Sequence, residues 1–572
     1  MEKWFVMRKG AAFQEIAEKF HIHPVIARLI RNRDIVGDEN IEQYLHGTIL
    51  DLYDGMLMKD MDKLVDILTE KIHEGKKIRV IGDYDIDGIN ATYILLQGLK
   101  ALGGDVDVDI PDRMQDGYGL NRNLIDRAFE ADVDTILTCD NGIAAKEEIA
   151  YGKRLGMTML VTDHHEVPYE EIGDRKQYVL PLADAVVDPK RPDCEYPFKE
   201  LCGASVAYKV VETLFEIFGT DIEDVDYLME NVAIATIGDV MDLVGENRIF
   251  VKQGLEMLKR TQNFGLKALF TCTGVNVDQL SAYHIGFVIG PCLNASGRLD
   301  TAKRALELLC AKNQKEADIL AGDLKALNDS RKDMTALAVE KATAQVENST
   351  LKQDKVLVIY LPDCHESLAG IVAGRVRERY DKPTFILTGA EGGLKGSGRS
   401  VEAYHMYEEL NKCKHLLTKF GGHKLAAGLS MEAENLEYLR RELNENTVLT
   451  EEDLMPRISI DMQMPFQHIS EELIEQLSML EPFGKGNGKP IFVEKDLEVL
   501  DSRVLGKNRN VVKMQVRDAG GTTVDAVYFG DVEKFLAFME KKQGERVAFT
   551  YYPSVNEFYG KKVLQIVIHN YK

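Results

Sequence analysis

Long hydrophobic runs are missing from this 572-residue chain. No uninterrupted apolar stretch is long enough to span a bilayer, so no membrane-spanning segment is expected. The opening, MEKWFVMRKGAAFQE, lacks an apolar run followed by a small-residue cleavage site, so no secretory leader is expected. Cys-x-x-Cys pairs are absent, and the 8 cysteines are scattered. That argues against a disulfide framework or a thiolate zinc site and fits a reducing cytoplasm. Positive charge is short: 70 Lys and Arg stand against 93 Asp and Glu, for a net charge of −23. Overall charge would therefore not hold nucleic acid, although a local basic groove is compatible with it. No glycine-rich loop ends in Gly-Lys-Ser or Gly-Lys-Thr, so ATP use is not implied. Internal repeats and low-complexity tracts are also absent.

What is present is the composition of a soluble multidomain protein, 45% apolar and 28% charged. Residues 1–75 read as short helices, with Phe13, Ile16, Ala17 and Phe20 at helical spacing. From Ile78 the pattern alternates between strands, at 78–82, 106–110, 135–139, 158–162 and 185–187, and helices, as at 91–102 and 121–131. That rhythm predicts βαβ units and a mostly parallel sheet within 76–311, with helices dominating after 203. A connector helix is expected over 312–348, where Gly322 is the one glycine and no proline occurs. A second α/β unit is expected over 349–447. Short alternating strands over 448–572 predict a small all-β barrel or sandwich.

Four acidic clusters end apolar runs. GDYDIDG places Asp83, Asp85 and Asp87 after the first strand; Asp140 follows the third, Asp163-His164-His165 the fourth, and Asp239 a run read as helix end or strand. Taken singly each is ordinary, since Asp after a strand usually caps a helix or makes a turn. Jointly they are not. In an open parallel sheet, functional groups gather outside the carboxyl ends of the strands. Several carboxylates with two imidazoles there suit divalent manganese or magnesium, with imidazole tilting the choice to manganese. A two-metal site of this kind suits phosphoester hydrolysis.

In this order, GDYDIDG, CDNG, TDHH and IGDVMDL resemble the four motifs of the DHH phosphoesterase superfamily. Within it the chain is similar to the RecJ family of single-strand-specific exonucleases. IPDRMQDGYGLN, YPFKELCGASVAYK, GENR, IGPCLNASGRL, GIVAGRVRERY, GSGRS, FGGHKLAAGLSM, EPFGKGNGKPIF and PSVNEFYG all agree, from about residue 40 onward. The resemblance implies a DHH catalytic domain, a DHH-associated domain and an oligonucleotide-binding β domain. It implies Asp83, Asp85, Asp140, His164 and Asp239 as ligands of two divalent metals, and Asp87 as a supporting carboxylate. His165 would ligate or contact the scissile phosphate.

The resemblance further places Arg113, Arg298, Ser397 and Arg399 along the substrate path, the last two at a terminal 5′-phosphate. Arg375 and His423, with Lys424, match further groove positions. GSGRS on its own offers bare backbone, hydroxyls and one guanidinium, the makings of an anion nest. In the β domain, Arg503, Lys507, Arg509 and Lys513 form a basic cluster, and Phe529, Tyr551, Tyr552, Phe558 and Tyr559 are candidates for base stacking. Two departures stand out: Cys292 replaces the usual arginine, and Cys364-His365-Glu366-Ser367 replaces a Trp-His run. The expectation is a metal-dependent 5′→3′ exonuclease of single-stranded DNA in recombination and repair. It would be a cytoplasmic monomer, with a single-strand-binding protein or a helicase as candidate partner. Two alternatives are a phosphodiesterase of short oligoribonucleotides or cyclic dinucleotides, and an inactive DHH scaffold protein.

Overall fold

The computed structural model describes residues 2–572 except 114, 115, 118, 174, 391, 507, 543, 559 and 560. Lys507 and Tyr559 of the expected nucleic-acid surface lie outside the described residues. The apolar strands Lys77–Ile81, Asp105–Asp109, Thr135–Cys139, Thr158–Thr162 and Ala185–Val187 form one five-stranded parallel sheet. Its order runs 105–109, 77–81, 135–139, 158–162, 185–187. All five carboxyl ends therefore share one edge. Helix Ile86–Ala101 is buried nearly all round, because Gly203–Phe218 and Met229–Gly238 cover the side away from the sheet.

One helix of 34 residues, Gln314–Glu347, joins this domain to the next and spans about 50 Å. Its first half buries Ala317, Ala321 and Leu324 in the catalytic core, and its second half buries Ala338, Ala342 and Val346 in the following domain. That domain is built on a mixed sheet ordered 419–422, 426–431, 393–399, 384–390, 357–360.

The C-terminal sheet closes on itself. Phe492–Leu505 pairs with both Val511–Arg517 and Val547–Phe558, and the circuit runs through Thr523–Tyr528 and Lys561–Tyr571. Helix Val532–Lys541 sits between its third and fourth strands. This is the five-stranded oligonucleotide-binding barrel. It is not all β: helices Val532–Lys541 and Glu471–Ser478 were hidden among strand-like patterns. Tyr551 and Tyr552 are core residues of the barrel, 0% and 7% exposed, which removes them as stacking surfaces; Phe529 is exposed. Lys513 is paired with Asp525 at 2.9 Å.

The N-terminal 75 residues do not pack as one unit. Strand Lys3–Val6 pairs with Arg457–Ile460, and the helices to His46 pack into the barrel core. Helix Met61–His73 packs instead into the catalytic core. Arg248, buried in the catalytic domain, ties the pieces together. It donates to Tyr44 O, Leu480 O and Met479 O at 2.9–3.0 Å and lies over the Tyr44 ring. Three carbonyls accept from the guanidinium, joining the barrel and the N-terminal helices to the parallel-sheet domain. No described helix is long and apolar enough to cross a membrane.

Glu230, buried at the start of helix Met229–Gly238, accepts a hydrogen bond from Thr261 Oγ1 at 2.5 Å. Burial lifts its carboxyl from 4.5 to about 7. An acid raised in the fold supports folding fully only below its unfolded pKa, and that support is lost as pH climbs through the folded value. Glu230→Gln should therefore raise the Tm at pH 8 and change it little at pH 5. Denaturant titrations at the two pH values would read a difference of up to about 3 kcal/mol.

Candidate metal centre and phosphate cavity

The turn after the first strand aims its carboxylates in different directions. Asp83 is buried. Asp85 caps helix Ile86–Ala101, accepting from the amides of Asp87 at 2.9 Å and Gly88 at 3.2 Å. Asp87 points inward, and its two oxygens accept from the amides of Gly203 at 2.6 Å and Ala204 at 2.8 Å. It thereby caps helix Gly203–Phe218, where the positive helix end favours a carboxylate. Its Oδ2 also lies 3.4 Å from His164 Nε2. Gly203 lets this helix start lie close to Asp140: a Cβ there would sit 2.6 Å from Asp140 Cβ.

Asp140 ends the strand Thr135–Cys139 with φ 59°, a left-handed conformation that Asp tolerates better than most residues. His164 and His165 leave the strand Thr158–Thr162. His164 is buried with Nε2 3.0 Å from Asp140 Oδ1. His165 is partly exposed, and its Nδ1 lies 2.8 Å from Asp163 Oδ1. Asp163 belongs to none of the candidate donor sets. It accepts from the amides of Ile143, His164 and His165 and so sets the turn. Asp239 comes from the end of a helix, Met229–Gly238, and lies 4.0 Å from His164 Nε2. A carboxylate at a helix C-terminus is unfavourable without a cation nearby.

Three overlapping sets could each hold a metal ion, with donor atoms all within 4.8 Å: Asp83, Asp85 and Asp140; Asp140, His164 and His165; and Asp87, His164 and Asp239. The structure thus brings together every carboxylate and imidazole expected of the centre. The donors fit a cation. Asp83 Oδ1 and His164 Nδ1 are buried with no hydrogen-bond partner among the described residues. Burial first, then Asp85, carries Asp83 to about 8. Burial, then Asp87 and Asp85, carries Asp239 to about 8. Asp140 is also raised, by burial first and then by Asp87 and Asp85; Asp87 is raised by burial, which outweighs the lowering by His164 and the Gly203 and Ala204 amides. Burial lowers His164, leaving the neutral imidazole that binds metals. Burial would also lower His165, but the hydrogen bond and charge of Asp163 outweigh it and raise the ring to about 9.

Sequence patterning missed one acid at this edge. Asp188 follows the fifth strand, is buried, and is pushed to about 8 by burial and then by Asp163. Its Oδ2 has no partner among the described residues. The signal was available, since Asp188 ends an apolar strand as the other clusters do.

A cavity of about 800 Å³ opens beside the centre, lined by Arg113, Arg298, Arg375, Ser397 and Arg399. The first turns of helix Ala369–Tyr380 face into it, so its positive end favours an anion bound there. Arg298 donates to Ser367 O at 3.0 Å, and Arg399 to Ser397 Oγ at 3.2 Å. Burial, then Arg113 and Arg331, lowers Arg298 to about 10. Two acids also line it, and both are taken up by its cations: Glu366 by Lys395 at 3.1 Å and Glu378 by Arg375 at 3.5 Å. Arg113 lies over the Tyr84 ring at 5.1 Å, which ties the cavity to the GDYDIDG turn. His423 does not line it: that residue sits exposed on the turn between Lys419–Gly422 and Ala426–Met431. Lys424 next to it pairs with Glu402 at 2.9 Å. Lys395 and Lys419 line the cavity instead, a role sequence spacing could not show. Cys292 is buried and accepts from Asn328, whose Oδ1 holds Arg331.

A parallel sheet with an acidic and imidazole cluster at its carboxyl edge, followed by a cation-lined second domain, defines a phosphoesterase of the DHH class. Three family models match the chain: the DHH family N-terminal domain over residues 77–236, the DHHA1 domain over 353–448 and the RecJ OB domain over 460–570. The chain belongs to the RecJ family. It is 35% identical to the single-stranded-DNA-specific exonuclease RecJ of Bacillus subtilis, over 99% of this chain and 70% of that one. It is 32% identical to RecJ of Haemophilus influenzae over 96% of each. The crystal structure of RecJ with Mn²⁺ from Thermus thermophilus superposes with a TM-score of 0.83 at 27% identity, covering 100% of this chain and 79% of that one.

Proposed function

We propose that the chain is a metal-dependent exonuclease that removes mononucleotides from the 5′ end of single-stranded DNA in recombination and repair. The observation that carries this reading is the cation-lined cavity joined through Arg113 and Tyr84 to the turn that bears Asp83 and Asp85. A terminal phosphate held by Arg298, Ser397 and Arg399 fixes the strand end, so the first phosphodiester lies at the cluster. Asp83, Asp85, Asp140, His164 and Asp239 would hold two manganese or magnesium ions, and such ions supply an activated water and neutralise charge developing on phosphorus oxygens. Asp87 positions His164 and the helix behind it. His165, held by Asp163, would ligate a metal or contact the scissile phosphate. In this reading the chain acts as a cytoplasmic monomer, and a helicase or a single-strand-binding protein presents the strand.

An end-labelled degradation assay with Mn²⁺ or Mg²⁺ tests the proposal on single-stranded DNA, duplex DNA and short RNA, each with and without a 5′-phosphate. Mononucleotides should be released from the 5′ end of single strands. Release beginning at the 3′ end, or equal cutting of duplex, would sink it.

A further inference from the structure

Asp188-Pro189-Lys190-Arg191 follows the fifth strand, at the sheet edge that carries the metal centre. It forms a β-turn: Arg191 N donates to Asp188 O at 3.2 Å, and Lys190 N donates to Asp188 Oδ1 at 2.7 Å. Asp in the first place and Pro in the second are what such a turn favours. Arg191, itself buried, locks the turn from behind. It donates to Val186 O and to the carboxylates of Asp60 at 2.6 Å and Asp193 at 2.8 Å. The backbone that presents Lys190 is therefore fixed.

The Lys190 side chain is 16% exposed, yet among the described residues its Nζ donates no hydrogen bond. Its ionic contact is Glu166 at 3.5 Å, whose own side chain is 78% exposed. An ammonium hydrogen-bonded to a carboxylate closes to about 2.7–2.9 Å. A sheltered ammonium with three donors open is unfavourable until an anion reaches it. Its charge falls on the metal centre: Lys190 acts on both His164 and Asp239, two members of one donor set, after burial and the nearer charged groups. The strand order sharpens this placement. Arg113 follows the first strand of the sheet and Lys190 the last, while the centre is built largely on the ends of the three strands between. One cation thus stands on each flank. Arg113 belongs to the cavity for the terminal phosphate, which leaves Lys190 for the phosphodiester at the centre.

We infer that Lys190 is a further catalytic residue, its ammonium donating to a non-bridging oxygen of the scissile phosphodiester. The inference rests on the exonuclease reading above. Negative charge is redistributed over those oxygens in the transition state, and a donor already fixed beside them needs no rearrangement at that moment.

Lys190→Met keeps the length and the apolar stem of the side chain. With Mn²⁺ its kcat should fall about 100-fold on a 5′-phosphorylated single strand. The fall should be similar on bis(p-nitrophenyl) phosphate, a diester with one phosphorus and no neighbouring phosphates. Lys190→Arg, which keeps the charge, should restore about tenfold or more of that loss. Glu166→Gln should keep the wild-type kcat. A further readout needs no substrate: the Mn²⁺-induced rise in Tm should grow in Lys190→Met, because a repelling charge has left the ligands. A residue that only held the turn would leave that rise unchanged or shrink it. Full kcat in Lys190→Met, a loss on the strand without one on the small diester, an equal loss in Glu166→Gln, or an unchanged or smaller Mn²⁺ response would each overturn the inference. Wild-type protein that hydrolyses the small diester but no single strand would instead sink the exonuclease reading and leave the role of Lys190 to stand on the diester comparison.

Discussion

Asp140→Asn should cut strand cleavage in Mn²⁺ by about a thousandfold or more, because a bound metal's charge stabilisation of the transition state is worth several kcal/mol. Asn is the informative substitution. Asp140 holds φ 59°, and Asn keeps that backbone conformation as well as the side-chain shape. Asp140 belongs to two of the three overlapping donor sets, so one change weakens both ends of the centre. A second readout separates ligand loss from misfolding. Without metal the Asp140 carboxyl is held well above its usual range by burial, then by Asp87, Asp85 and Asp83. The neutral amide removes that cost at neutral pH, so the metal-free Tm should rise. The Mn²⁺-induced rise in Tm should shrink, since stabilisation by a ligand follows its affinity for the folded state. Retained cleavage with an intact Mn²⁺ response would remove Asp140 from the ligand set.

Arg399→Gln should collapse the preference for a 5′-phosphorylated strand. A charged hydrogen bond to phosphate contributes about 1.5–3 kcal/mol, so kcat/KM on the phosphorylated strand should fall by about 10- to 100-fold. The 5′-hydroxyl strand, which places no terminal phosphate in the cavity, should lose far less. Arg399 is held by Ser397 Oγ and by Gly398 O. The substitution therefore leaves the strand Gly393–Arg399 paired on both sides. Inorganic phosphate should raise the Tm of the wild type by relieving the mutual repulsion of Arg113, Arg298 and Arg399 and should do so less in the variant. An equal loss on both strands would place Arg399 elsewhere on the substrate.

How far the site was legible depended on how local its causes were. Asp83, Asp85, Asp140 and the two histidines each end an apolar strand, and a parallel sheet puts all such ends on one edge. Period and position were enough to gather them. The role of Asp87 was not legible, because its partners are amides 116 and 117 residues further along. Asp239 looked like either a strand end or a helix end, since Ala-Thr-Ile-Gly suits both until the neighbouring helices are packed. Tyr551 and Tyr552 read as a stacking surface because a closed barrel and an open face carry the same alternation. Which side of a strand faces inward is decided by closure of the barrel through Phe492–Leu505.

By itself, the sequence determined the family, the order of the domains and the set of carboxylates and imidazoles gathered at the sheet edge, all carried by short contiguous patterns with local physical causes. Only the tertiary structure decided which cations share the cavity beside the GDYDIDG turn, excluding His423 and admitting Lys395 and Lys419. It also split the N-terminal segment between two cores. Those outcomes depend on packing between segments far apart in the chain, and residue spacing along the chain carries no record of it.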